Sequence, residues 1–554
     1  MKRKASKLLA MGLTAAMAAS MLTACGSSES SSDGASSDSS ASESSDAETS
    51  DASETSSDSG EEKVLNFGIQ MYGDGLIDPT NQTNAAWNCM RYGIGECLFK
   101  FNDNMETEPW LADSYEVNDD YTVYTITLKE GIKFSDGCDM TATKVKESLD
   151  RTQTEGPNGS STPEKFLPYE AVVEADDDAN TITITLEEPE YNMIGNLAYP
   201  VMEIVDVADT EDWDNGVIGT GPYAVENFVD QTGYTMVANE NYYEEVPYDK
   251  VEIIFMGDAS AKAMALQSGQ IDLAENITNV SDIETFQSDS NYTVDIASGV
   301  RCGFSWMNMS EGKPLANKTL RQAILMAIDY DAICESNLIK GLYTAGYSVL
   351  PSTLSYGYDK LENPYAYDPE GAKKLLDDAG IVDTDGDGIR ELDGENINLT
   401  YVSYENRSLN DFSDAHAQYL AEIGIGVTAD YGSSDDQWSK LVAGEYDFNN
   451  NNWTTVGTGD PTDYMANWYS KSEANYCGYA NEEYDALYEE LLNTPDTEER
   501  ADLLCQMQQI LIDDAVAVID GYYNSSMIYS SNVGYAHIHT ADYYWLSTEI
   551  TPAE

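Results

Sequence analysis

The chain holds three histidines, His416, His537 and His539, and none stands in a Gly-x-Ser-x-Gly or His-Glu-x-x-His setting. Carboxylate pairs of the kind glycosidases use occur throughout so acidic a chain, so they carry no information about that chemistry. His537 and His539 lie two apart in a segment expected to be a strand, which would point both to one side. A metal site would need further ligands that the sequence does not supply. Asp383-Thr384-Asp385-Gly386-Asp387-Gly388-Ile389-Arg390-Glu391 sets carboxylates at alternate positions around a sharp-turn glycine, as calcium loops do. Gly394 occupies the place of the final bidentate glutamate, and Glu395 comes one later. Asp383, Asp385 and Asp387 are therefore either calcium ligands or an acidic surface turn. No catalytic residue is expected, and no cofactor apart from that calcium.

Charge narrows the partners. Asp and Glu number 99 against 28 Lys and Arg, a net charge of −71 over 554 residues. A body of that sign repels phosphate backbones, so nucleic acid is excluded. The 38 tyrosines suit half-buried strands or a wet binding cleft, since the ring stacks and its hydroxyl hydrogen-bonds. Cys89, Cys97, Cys138, Cys302, Cys334, Cys477 and Cys505 are odd in number and scattered, so free thiols are expected rather than a disulfide framework.

The N-terminus reads as an export signal. Lys2, Arg3, Lys4 and Lys7 precede an apolar run from Leu8 to Ala24, too short to span a bilayer comfortably. It ends in Leu22-Thr23-Ala24-Cys25-Gly26, which resembles the lipobox of bacterial lipoproteins, with Cys25 as the lipidated residue. Two acyl chains would anchor the protein stably. Residues 26–62 are almost wholly Ser, Asp, Glu, Ala, Thr and Gly and cannot bury enough surface to offset ordering, so a disordered acidic tether is expected. Its mean reach is about 35 Å.

Beyond it, periodicity alternates between strand and helix. Val64–Ile69 reads as a short strand entering a loop, Tyr124–Leu128 and Thr181–Leu186 alternate as half-buried strands, and Lys250–Met256 reads as a more fully buried one. Thr141 caps a helix with Val145, Ser148 and Leu149 on one face. Leu320, Ala323, Ile324, Ala327 and Ile328 form a helical stripe. Asp368 and Pro369 start another helix, stopped at Gly380. Phe412, Ala415, Tyr419 and Ile423 mark a fourth, ended by Gly424. Asp496 and Glu499 read as a capping box before Leu503 and Leu504. Strands at Asn398–Val402 and Gly426–Ala429 interleave with these, which implies an α/β architecture. Gly219-Thr220-Gly221-Pro222-Tyr223 reads as a tight crossing without room for side chains, not a phosphate loop.

Particular residues go further. Leu111-Ala112-Asp113-Ser114-Tyr115 is followed by Tyr124-Thr125-x-x-Leu128-Lys129-x-Gly131-x-x-Phe134-x-Asp136-Gly137 and Thr141-Ala142-x-x-Val145. Further landmarks are the Gly219–Tyr223 crossing, Asn239-Glu240-Asn241-Tyr242-Tyr243, Arg321-Gln322-Ala323-Ile324 and Tyr367-Asp368-Pro369-Glu370. In this order they resemble the family 5 extracellular solute-binding proteins, the peptide, dipeptide and nickel receptors of ABC importers. The resemblance implies a type II periplasmic-binding-protein-like fold of two lobes, a hinge and an extra domain. Lobe I would comprise residues 63–92, 218–300 and 523–554, the extra domain 93–217, and lobe II 301–522. The hinge would lie near Gly303–Asn308 and Gly521–Asn524.

It also implies a ligand cleft. Tyr72, Trp306, Asn308 and Trp453 stand at loop or hinge positions and are cleft candidates. Arg407 lies near where dipeptide binders hold a carboxylate. Asp460, in Asp460-Pro461, is the residue available for an α-ammonium, because positions 454–459 hold no aspartate. The expected protein is a monomeric, lipid-anchored receptor at the outer face of the cytoplasmic membrane, capturing oligopeptides or a similar small solute for a permease and ATPase. A metal-chelate receptor of the same fold and, from another class, a secreted lipid-anchored hydrolase are the alternatives.

Overall fold

The structure is a computed structural model of the chain and describes residues 62–81, 83–155 and 165–553. The signal segment with Cys25, and the tether up to residue 61, lie outside the described residues.

The strands used below are, in chain order, Val64–Ile69 (β1), Ala112–Val117 (β2), Val123–Leu128 (β3), Val172–Asp176 (β4), Thr181–Thr185 (β5), Tyr223–Val229 (β6), Gly233–Ala238 (β7) and Lys250–Phe255 (β8). They continue with Leu273–Glu275 (β9), Tyr292–Met307 (β10), Tyr343–Thr344 (β11), Asn398–Tyr404 (β12), Gly426–Gly432 (β13), Phe448–Thr454 (β14) and Ala517–Ser530 (β15). The helices are Thr83–Arg91 (α1), Ala142–Glu155 (α2), Ala259–Ser268 (α3), Lys318–Ala327 (α4), Pro369–Asp378 (α5), Leu409–Glu422 (α6) and Thr497–Asp513 (α7).

An 11-stranded mixed sheet runs β13-β12-β14-β10-β15-β9-β1-β8-β7-β6, with β11 paired to β15 off this path. Leu65, Phe67 and Ile69 of β1 are fully buried, and β1 lies parallel to both β8 and β9. At the other end β12 lies parallel to β13 and β14. The two ends are joined by β10 and β15, two long antiparallel strands that pair along most of their length. Their pairing is broken by register shifts between Ser298 and Arg301 and between Gly303 and Phe304. Gly303 faces Gly521 there, and Gly521 adopts φ +137, a backbone that disfavours side chains. A separate four-stranded antiparallel sheet, β2-β3-β5-β4, buries Tyr124, Ile126, Ile182 and Ile184 against its own core.

Local chemistry explains the helices. Thr141 Oγ1 accepts from the Lys144 amide at 3.3 Å to cap α2, and Val145 and Leu149 are fully buried. Asp368 accepts from the Gly371 amide at 2.8 Å, with Pro369 next in α5. Asp496 accepts from the Glu498 and Glu499 amides, each at 3.0 Å, to start α7. Such caps contribute about 1 kcal/mol each. The α4 stripe of Leu320, Ala323, Ile324 and Ala327 is fully buried, and a Leu or Ile so placed contributes about 2 kcal/mol.

At the Gly219–Tyr223 crossing, a Cβ on Gly219 would lie 2.0 Å from the Ile94 carbonyl oxygen, and one on Gly221 2.2 Å from that of Gly93. Only glycine fits. Two expectations need correction. β8 is not fully buried: Val251 and Ile253 face the core while Lys250, Glu252, Ile254 and Phe255 are half-buried, so one face stays partly open. His537 and His539 lie beyond the short strand Val533–Tyr535, in extended chain without a ladder partner.

Candidate functional site

A cavity of about 720 Å³ lies between the chain after β1, the start of α3 and residues Glu405–Asp411, the β12–α6 loop with the first turn of α6. Gln70 and Tyr72 line one side, Arg407 the other, and Tyr523 of β15 reaches it between them. β1 ends at Ile69, which delivers Tyr72 to the rim of the sheet. Loops at strand ends are where such folds place ligand contacts, because the scaffold beneath them is rigid.

Arg407 and Ser408 both take left-handed backbone, φ +46 and +57, in a place where neither is glycine. That strain costs of order 1 kcal/mol per residue and persists only where the surroundings impose it. Here Tyr343 of β11 imposes it. Its hydroxyl donates to the Arg407 carbonyl oxygen at 2.8 Å and accepts from Asn452 Nδ2 at 3.0 Å. The Arg407 guanidinium is thereby set 5.3 Å over the Tyr523 ring. Its Nε is buried and has no hydrogen-bond partner among the described residues.

Two further arginines stand beside this wall. Arg91 ends α1 and is 2% exposed, enclosed by Tyr72, Trp87 and Trp545 at 4.8, 4.7 and 4.4 Å. Its Nε donates to the Asp542 carbonyl oxygen at 2.7 Å. Arg301, at the register shift of β10, lies 5.3 Å from the Trp87 ring. Its Nε is 3.7 Å from Asp542 Oδ2, too long for a hydrogen bond. Arg301 Nε, Trp87 Nε1 and both Asp542 carboxylate oxygens are buried without hydrogen-bond partners among the described residues. Burial, and then the charge of Arg407, push Arg301 down to about 10. Burial also works against the charge of Arg407, but Tyr72, Tyr523 and Asp542 outweigh it and raise its pKa. Both remain guanidinium cations at neutral pH.

Two of the site residues expected from sequence, Tyr72 and Arg407, meet at this cavity; the other four do not line it. Trp306 is fully buried among Phe304, Trp453 and Trp468, because its strand is covered on that face. Asn308 is a structural residue: its Nδ2 donates to the Gly444 and Tyr446 carbonyls at 3.3 and 3.1 Å. Trp453 is half-buried and packs on Phe304, Trp306 and Trp438. Asp460 is committed to Arg500, which donates to it from Nη2 at 2.6 Å and Nε at 3.1 Å. An ammonium would have to displace that pair. Arg91, Arg301 and Asp542 were not singled out in the sequence, although a lone arginine inside the apolar runs Ala85–Ile94 and Val300–Met307 was a usable signal.

The acidic loop differs in detail from the expectation. Carboxylate oxygens of Asp383, Asp385 and Glu391 come within 4.8 Å of one another, whereas Asp387 turns to accept from Asn396 Nδ2 at 2.7 Å. Asp383 accepts from the Gly386 and Gly388 amides at 2.6 and 2.9 Å, bonds that close the turn by themselves. The histidines are dispersed. His416 is buried, with Nδ1 2.9 Å from the Tyr401 hydroxyl, and burial pushes its pKa down to about 3. His537 bridges Asp295 and Asp103 at 2.9 and 3.1 Å, while His539 Nε2 lies 3.0 Å from the Asn102 carbonyl. No helix of the described residues is long and apolar enough to cross a membrane.

Residues 106–476, well over half of the chain, match the model of the bacterial extracellular solute-binding proteins, family 5. Heme-binding protein A of Haemophilus influenzae is 27% identical over 474 residues, covering 78% of this chain and 82% of that protein. The glutathione-binding protein GsiB of Salmonella typhimurium is 26% identical over 453 residues, covering 78% and 84%. Among solved structures, NikA of Brucella suis in complex with Fe(III)-EDTA superposes with a TM-score of 0.79 at 21% identity, covering 88% of this chain and 99% of that one. The oligopeptide-binding protein AppA of Bacillus subtilis, in complex with a nonapeptide, gives 0.73 at 20% identity, covering 89% and 100%. The chain thus has a periplasmic-binding-protein fold, and it belongs to the bacterial extracellular solute-binding proteins of family 5.

Proposed function

We propose that this protein captures oligopeptides, or a similar small solute bearing a carboxylate, in the cavity beside Arg407 and delivers it to an ABC permease and its ATPase. The observation that carries this is Arg407 itself: a cation on a strained loop, aimed at a cavity, with a spare donor. A planar guanidinium with free N–H groups captures a carboxylate through two parallel bonds. Relatives described as binding glutathione and heme show that oligopeptides are not the family's sole cargo.

The glycine-paired shifts in β10 and β15 support a hinge between two lobes, 63–92 with 218–300 and 523–554 on one side and 301–522 on the other. A ligand touching both sides would favour the closed form by its differential affinity, and the permease would read that closure. The lipobox around Cys25 supports a diacyl anchor at the outer membrane face. The protein acts by binding and release, without turnover. Native mass spectrometry of gently purified protein should show a bound small molecule that unfolding releases, and scattering should show compaction when it returns. Hydrolysis of offered peptides or oligosaccharides would overturn the receptor reading.

A further inference from the structure

Arg91, Arg301 and Arg407 place three cations around one anion, Asp542, in a chain that carries 28 basic residues against 99 acidic ones. The other carboxylate near Tyr72 is Glu275, and it is already matched: Lys262 Nζ donates to its Oε1 at 2.7 Å. Within the cluster three guanidiniums share that one carboxylate, while Asp258, Glu405 and Asp411 line the adjoining cavity. Arg91 is fixed by aromatic faces and the Asp542 carbonyl. Arg301 and Arg407 each keep a buried Nε without a partner among the described residues, and Trp87 keeps its Nε1.

Resting on the receptor reading above, we propose that the solute carries two anionic groups, such as two carboxylates, one meeting Arg407 and the other Arg301. Leaving buried guanidinium donors unpaired costs more than an ordinary lost hydrogen bond, so a ligand that satisfies both gains most. A free α-ammonium is not required. An ammonium at Asp542 would approach a carboxylate that already lies 3.7 Å from Arg301, beside Arg91, and two like charges there would repel it. Asp460 is no substitute, because Arg500 holds it. The flanking rings of Tyr72, Trp87 and Trp545 keep the cluster dry, which strengthens its pull on an anion.

Calorimetric titration of the purified full chain with pairs differing only at the second acid tests this. The probes are N-acetyl-Ala-Glu against N-acetyl-Ala-Gln, and glutathione against its glycine amide. The doubly acidic member of each pair should bind at least tenfold more tightly. Arg301→Gln or Arg407→Gln should shrink that preference below threefold, while Arg301→Lys, which keeps the charge, should retain most of it; circular dichroism checks that each variant folds. Equal affinity within both pairs, or binding only of tri-alanine with its free amine and single acid, overturns the assignment and leaves the receptor reading intact. Failure of every probe to bind also overturns it. The receptor reading fails separately, if no fraction of a cell extract supplies a solute that compacts the protein in scattering.

Discussion

Arg321 and Arg301 are both buried guanidiniums, yet the fold treats them in opposite ways. Arg321 donates from Nε to the Ala515 carbonyl at 2.9 Å, from Nη1 to Leu315 at 2.8 Å and Ala316 at 3.2 Å, and from Nη2 to Asp514 at 2.8 Å. Arg500 is similarly occupied, by Asp460 and by the Leu491 and Thr494 carbonyls at 2.8 and 2.9 Å. Arg301 makes one long bond, from Nη1 to the Asn452 carbonyl at 3.4 Å, and the Nε atoms of Arg301 and Arg407 have no partner among the described residues, although burial makes each unpaired donor costly. Satisfied arginines tie backbone segments together. The unsatisfied ones, Arg407 on a strained loop at the cavity and Arg301 in the cluster around Asp542, keep Nε donors that a bound solute could take.

The contrast breaks first at Arg321. Arg321→Met should strand four backbone carbonyls and cost about 3 kcal/mol by chemical denaturation, while affinity per folded molecule stays within twofold. Arg407→Gln should do the reverse. Solute affinity should fall at least tenfold in titration, about 1.4 kcal/mol, while the denaturation midpoint stays unchanged or rises as repulsion with Arg301 is relieved. A stability loss in Arg407→Gln as large as that in Arg321→Met would end the distinction. Asp542→Asn removes the carboxylate 3.7 Å from Arg301, so a doubly anionic solute should bind threefold to tenfold more tightly; weaker binding would show instead that Asp542 receives a cation.

The smallest effect concerns His537, a satisfied contact of another kind. Burial opposes its charge, but its bonds to Asp103 and Asp295 outweigh that and raise its pKa above the ordinary 6.5. A group raised on folding adds stability that is fully present below the unfolded value and fades as pH rises through the folded one. Thermal unfolding should therefore show a loss of up to about 1 kcal/mol between pH 6 and the raised value, and His537→Gln should flatten that slope.

Much of the fold was legible because its signals are local. Thr141, Asp368 and Asp496 cap their helices through amides two or three residues away, and the Gly219–Tyr223 crossing announces its steric need in its own composition. The alternation of Tyr124, Ile126 and Leu128 follows from the two-residue repeat of a strand with one covered face. The site was less legible. Trp306, Asn308 and Asp460 have suitable chemistry at suitable places in the chain, and nothing local distinguishes a tryptophan covered by Trp468, or an aspartate met by Arg500, from a free one.

The sequence by itself determined the helix and strand segments, the acidic character of the body, and the resemblance that led to the family. Tertiary structure decided which charges are spent and which are spare. Arg91, Arg301, Arg407 and Asp542 come from four distant segments, and their assembly depends on two long strands carrying the chain from one end of the sheet to the other. Ion pairing and desolvation act over a few ångströms in space, whereas the patterns read from a sequence act over a few residues of chain.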